Sequence, residues 1–116
     1  MSTSEYVWAR KRQLEFAREL ERFWEGIDFV VTPVIRVSPP AQDADAISMA
    51  KNLTAFTAPF NVTGLPAISV PCGFTSSGLP IGLQIVGDKW QEARILQVAH
   101  QYQLVTEWHT RVPPLA

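Results

Sequence analysis

The chain has 116 residues, with ten Lys and Arg against eleven Asp and Glu and a formal net charge of −1 at pH 7. That balance excludes the overall positive field that favours nucleic acid or an anionic membrane surface. Its 47 % hydrophobic and 18 % charged residues describe a globular chain, and no apolar run approaches the roughly 20 residues that span a bilayer.

At this length one compact unit covering residues 1–116 is expected, with a modest core. The start, Met1-Ser2-Thr3-Ser4-Glu5, lacks a basic stretch followed by an apolar core, so no secretory signal is read. Ser2 and Glu5 instead have capping-box spacing, and no Gly or Pro interrupts the chain from there to Glu25, which predicts a long helix closed by Gly26. Phe16, Leu20, Phe23 and Ile27 recur at helical spacing and are expected to face a core. Arg10, Lys11, Arg12, Arg18 and Arg22 alternate with Glu15, Glu19, Glu21 and Glu25, which reads as a solvated face rather than a basic patch.

Asp28-Phe29-Val30-Val31-Thr32 predicts a short buried strand stopped by Pro33. Val34 to Gln42 has no period and reads as a loop. Asp43 or Asp45 then caps a short helix through Ala46 to Lys51 that ends before Pro59. From Phe60 onward, glycines and prolines punctuate two apolar runs, Ala67 to Val70 and Ile81 to Val86. Thr75-Ser76-Ser77-Gly78 supplies turn chemistry between them, so an antiparallel hairpin is expected. Gly64 is expected at a positive backbone angle or against a close neighbour, Pro66 fixes the start of the first run, and Gly82 allows close approach to the second. Asp88 and Gln91 again have capping spacing, before a helix with a stripe of Ile95, Ala99, Tyr102 and Val105 that Pro113-Pro114 end. The fold class that emerges is α/β: a small sheet of about three strands with an antiparallel hairpin, flanked by N- and C-terminal helices.

The segment from Phe60 to Phe74, with Asn61-Val62-Thr63-Gly64-Leu65-Pro66-Ala67 and Pro71-Cys72-Gly73-Phe74, precedes Gly78-Leu79-Pro80-Ile81-Gly82-Leu83-Gln84-Ile85-Val86-Gly87. Together these closely resemble the C-terminal signature of the amidase-signature family. Asp28 to Pro33 resembles that family's Asp-x-x-x-Thr-Pro strand, and Glu92, Leu96, Ala99, Tyr102, Trp108, His109 and Pro113 resemble its closing helix. The resemblance runs from about Tyr6 to Pro114 in one register and implies a partial amidase-signature fold.

Full-length members, the resemblance implies, cleave or transfer the nitrogen of carboxamides with a Ser nucleophile, a second Ser in a cis peptide and a Lys base. That machinery belongs to a Gly/Ser-rich stretch N-terminal to the part matched, and no Gly-Gly-Ser-Ser-Gly-like run occurs in this chain. Ser76-Ser77-Gly78 is a decoy in the hairpin turn, without the flanking glycines of an oxyanion nest. Cys72 reads as a small core side chain, and as a lone cysteine it permits no internal disulfide and fits a reducing cytoplasm. His100 and His109 lie on one predicted helix without metal-pair spacing, and Asp43 and Asp45 read as cap and loop residues.

Thr57, Phe60 and Asn61 fall where the resembling enzymes approach their substrate cleft, which makes them the candidate substrate-binding residues; the alternative is a turn held by Asn and Thr hydrogen bonds. Thr54 stands where glutamine-using amidotransferases commonly carry an acidic residue, which favours a general amidase over a glutaminase. No catalytic residue, cofactor or metal is expected. Three readings compete: a piece of an amidase that needs its N-terminal half, a non-catalytic assembly or binding module derived from one, and a small enzyme with an unrecognised site. The expected partner is that missing half or a second copy of the chain, with a small amide as substrate only once the site is completed, and neither nucleic acid nor membrane.

Overall fold

In the computed structural model, which describes residues 1–41 and 43–113, the order is α1 (Thr3–Phe23), β1 (Phe29–Pro33), α2 (Ala46–Thr54), α3 (Ala58–Thr63), β2 (Ala67–Phe74), β3 (Pro80–Gly87) and α4 (Glu92–Leu104). A 3-10 turn over Trp108–Thr110 follows. The capping box forms: Ser2 Oγ accepts from the Glu5 N–H at 3.3 Å, and the Ser2 N–H donates to Glu5 Oε2 at 2.6 Å. The bond from the Ser2 backbone N–H to the ionised carboxyl is the main cause that holds Glu5 below its ordinary pKa. The helix closes at Trp24 rather than at Gly26, which lies two residues further on at φ +80° and turns the chain toward β1.

The face expected to be buried is not the one that α1 turns inward. Phe16, Phe23 and Ile27 remain 38 %, 50 % and 39 % exposed, and of that stripe only Leu20 packs. The inward stripe is Gln13, Ala17, Leu20 and Trp24, turned by about 60° from the expected one at 100° per residue. Trp24 decides the rotation: as the largest apolar side chain nearby it seats against Leu65 and Val86, and the helix must turn to bring it there. Its indole Nε1 is buried with no hydrogen-bond partner among the described residues.

All three strands pair antiparallel in the order β1-β3-β2. The expected hairpin is present, closed by the Thr75 N–H to Leu79 carbonyl bond at 2.8 Å and the Gly78 N–H to Thr75 carbonyl bond at 2.9 Å. A bulge between Pro71 and Gly73 leaves Cys72, half-buried, as the extra residue. β1 is a half-buried edge strand and not a buried one, because it has a single strand neighbour and its Val31 is 56 % exposed.

Helices cover both faces of the sheet. On one, Trp24, Leu65 and Val86 gather Leu20, Val30 and Phe60; on the other, Val70, Ile85 and Ala99 gather Ile68, Leu83 and Tyr102. Successive residues Ile85 and Val86 of the central strand thus serve opposite layers, as the pleat requires. Gly87 belongs to this packing too, since a Cβ there would lie 2.7 Å from Ile95 Cγ2.

Asp45 is the cap of α2, accepting from the Ile47 and Ser48 N–H groups at 3.0 and 3.3 Å, while Asp43 is exposed. α3 is a helix where the residue pattern predicts a turn. Pro59 sits in its first turn, where a missing N–H costs nothing, while α2 has already ended at Thr54. At α4, Asp88 does not cap: its carboxylate accepts from the Lys89 N–H at 2.7 Å, and Gln91 takes the cap position without a side-chain bond. Ile95 and Ala99 are buried and Tyr102 is half-buried as the stripe requires, but Val105 is 81 % exposed because the helix has ended before it. That end is set by the Val105 N–H and the Thr106 hydroxyl, both donating to the Tyr102 carbonyl, well before Pro113; Pro114 lies outside the described residues. Lys89 meets Glu21 at 2.6 Å, holding the Glu21 carboxyl below its ordinary pKa and tying α1 to the loop before α4.

The molecule is extended, 52 × 39 × 19 Å along its principal axes. Its radius of gyration is 17.1 Å, against about 13 Å for a compact domain of this length. Its accessible surface is 8750 Å², roughly 2,400 Å² more than a folded monomer of its mass exposes. Among the described residues no helix is long and apolar enough to cross a membrane.

Candidate functional site

Thr57, Phe60 and Asn61 stand three and four residues apart on α3 and its cap, so they share one side of that helix. They line an open recess of about 360 Å³ together with Val34, Leu65, Ala67, Ile68, Ser69 and Gln84. Phe60 also packs against the Trp24 cluster, which fixes the helix on the sheet. Gly64 ends the helix in the left-handed conformation, φ +70° and ψ 29°, with its N–H on the Phe60 carbonyl. This turns the chain directly into Leu65-Pro66 and β2. The expected positive angle is therefore present, although among the described residues nothing beyond the adjoining chain lies within 4 Å of where a Cβ would sit.

Val34, beyond β1, closes another side of the recess. A Cβ at Gly82 would lie 2.8 Å from Val34 Cγ2 and 3.0 Å from Ser69 Oγ, so the close approach expected at this glycine occurs and brings Val34 over the sheet. The Asn61 side-chain amide donates to the Thr57 carbonyl at 3.0 Å, and the Thr57 hydroxyl reaches the Thr54 carbonyl at 3.4 Å. Asn61 is exposed at the rim, whereas Gln84 is buried at 5 % exposure.

Among the described residues the lining holds hydroxyls and carboxamides but no charged side chain. Such a surface binds neutral polar groups through directional hydrogen bonds, and no general acid or base ordinarily titrating near neutral pH stands in it. Thr54 ends α2 and bonds its hydroxyl to the Ala50 carbonyl at 2.8 Å.

The remaining residues singled out from the sequence lie elsewhere. Ser76 and Ser77 are exposed in the hairpin turn, where Ser77 Oγ is 2.9 Å from Thr75 Oγ1. His100 is exposed on α4 and His109 on the 3-10 turn, so the two do not share one helix. A larger cavity of about 480 Å³ is formed by Val105, Thr106, Glu107, Trp108, Thr110 and Arg111. It is a fold of one local segment and gathers none of the candidate residues. Sequence reasoning missed Val34, Ser69 and Gln84 as lining residues. For Gln84 a signal existed, a single amide inside the apolar run Ile81 to Val86.

The chain is similar to known proteins along most of its length. The chain is 41 % identical over 111 residues to the glutamyl-tRNA(Gln) amidotransferase subunit of Thiobacillus denitrificans that it matches, spanning 93 % of this chain and 23 % of that protein. The solved structure of 6-aminohexanoate cyclic dimer hydrolase superimposes with a TM-score of 0.86 at 32 % identity, over 98 % of this chain and 27 % of that one. The corresponding glutamyl-tRNA(Gln) amidotransferase subunit of Thermotoga maritima gives a TM-score of 0.76 at 28 % identity, over 89 % of this chain and 23 % of that one. The chain thus spans about a quarter of the length of the relatives it matches. The family model described as Amidase matches residues 1–96, and the chain belongs to the amidase family.

Proposed function

We propose that this chain is the C-terminal part of an amidase-like hydrolase acting on carboxamide C–N bonds, and that it supplies one wall of the substrate cleft without being catalytic by itself. The observation that carries this reading is the convergence of Thr57, Phe60 and Asn61 on one uncharged recess beside the signature strands. Asn61 and Thr57 would hold a neutral amide by hydrogen bonds, and Phe60 would support them from the core. The nucleophile and base would come from a segment N-terminal to the one matched, since no residue lining the recess activates a hydroxyl.

The test is reconstitution. The Thiobacillus denitrificans relative, truncated before its matched segment, is co-expressed with this chain, and hydrolysis of simple amides and anilides is followed. Neither partner alone should turn over, whereas the pair should, with Asn61→Ala losing most of that activity. Turnover by this chain alone would overturn the reading. So would a co-purifying, active pair that is indifferent to Asn61→Ala and Thr57→Ala.

A second reading, a non-catalytic assembly module derived from an amidase, is favoured by the roughly 2,400 Å² of surface in excess of a compact monomer. In that reading a second copy covers the apolar side chains α1 leaves exposed, Tyr6, Val7, Trp8 and Leu14 among them.

A further inference from the structure

The antiparallel register sets three polar side chains in one row across the sheet: Thr32 of β1 pairs with Gln84 of β3, and Gln84 pairs with Ser69 of β2. Gln84, at the centre, is 5 % exposed. Its Nε2 donates to Thr32 Oγ1 at 2.9 Å and to the Phe56 carbonyl at 2.9 Å, which uses both amide protons. Phe56 immediately precedes Thr57, so a single side chain ties β3 to β1 and to the start of the segment that bears the candidate residues.

These bonds also fix which way round the amide lies. A backbone carbonyl can only accept, so the nitrogen must face Phe56 and the oxygen must face away from it. Gln84 Oε1 receives no hydrogen bond from any described residue, and the one sealed side-chain polar atom without a partner among the described residues is Trp24 Nε1. Oε1 is therefore not sealed, and Gln84 lines the recess.

We propose that Gln84 is a specificity-determining residue of the recess: its nitrogen is locked to Thr32 and Phe56 so that Oε1 stands as a fixed acceptor for an N–H of the bound ligand. This rests on the reading of the recess as a substrate wall. A fixed carbonyl favours a ligand that presents an N–H over an ester or carboxylate of the same shape, which offers only lone pairs and leaves the buried acceptor unpaired.

The experiment uses two isosteric probes, N-methylacetamide and methyl acetate, which differ at the position of the N–H. Each is titrated into the ¹⁵N-labelled full chain while the Thr57, Asn61 and Gln84 signals are followed by NMR. N-methylacetamide is expected to bind about fivefold more tightly, the factor one neutral hydrogen bond gives. It alone should move the Gln84 side-chain amide. Gln84→Met should bring the affinity ratio to about one, whereas Thr32→Val, which leaves the Phe56 bond and hence the amide orientation, should preserve it. Where Gln84→Met fails to fold, the wild-type ratio and the Gln84 signal decide alone. Equal affinity of both probes with clear shifts at Thr57 and Asn61 would overturn the role of Gln84 and leave the recess standing. Absence of any shift there with either probe would overturn both.

Discussion

Gly64→Ala, Gly64→Asn and Gly64→Val form a series whose outcome follows from the backbone. At φ +70° and ψ 29° the residue is in the left-handed region, and among the described residues nothing beyond the adjoining chain lies within 4 Å of a built Cβ. No contact at the Cβ therefore adds to the cost, which is the intrinsic penalty for an L-residue in this conformation, about 1–2 kcal/mol. Alanine should cost about 1 kcal/mol, valine about 2, and asparagine least, since its short polar side chain tolerates the left-handed region. For a chain of this length those values correspond to falls of about 4 and 8 °C in Tm, read by thermal unfolding followed by circular dichroism. Equal Tm values for Asn and Val would refute the conformational account. A loss well above about 3 kcal/mol for valine would mean that a contact, not the backbone angle, sets the cost.

The purified chain should show no amidase activity above background; turnover abolished by Ser76→Ala or Ser77→Ala would make the exposed hairpin turn a site after all. Light scattering across a dilution series should show association at micromolar concentration, because surface in excess by roughly 2,400 Å² exceeds what a standard interface takes from one partner; a stable monomer throughout would contradict this. The Glu5 carboxyl is held below its ordinary value of 4.5 by the Ser2 N–H, so its stabilisation is complete above that value and is lost as pH falls through the lower folded-state value. Helicity and Tm should accordingly fall in that acid window in the native chain, and Glu5→Gln, with nothing to titrate, should remove that part of the pH dependence.

The elements most legible in the sequence were those whose signals are local. Ser2 with Glu5 marks a helix start through bonds within three residues, and Gly78 with Pro80 marks a hairpin through backbone angles alone. Long-range choices were not legible. Phe16, Phe23 and Ile27 have the period of a buried face as good as that of Gln13, Ala17, Leu20 and Trp24, and the seat between Leu65 and Val86 decides between them. Pro59 carries two meanings, the end of one helix or the first turn of the next; it stands in the first turn of α3, and α2 has already ended at Thr54. Thr57, Phe60 and Asn61 were placed by resemblance, but the cross-strand row that joins Gln84 to the same recess depends on a register that spacing does not reveal.

Gln84 reaches Thr32 across 52 residues of chain, whereas the hairpin that contains Gln84 closes through a five-residue turn from Thr75 to Leu79. The two halves of the sheet therefore differ in when they can form. The β2–β3 pair can nucleate locally, and β1 must wait until the intervening loop and helices have surrendered their freedom. On the way back the order reverses: β1, with one neighbour and an exposed Val31, is the strand from which the sheet opens first. Amides of Val30 and Thr32 that exchange with solvent sooner than those of Leu83 and Ile85, which face β2, would be the sign of it.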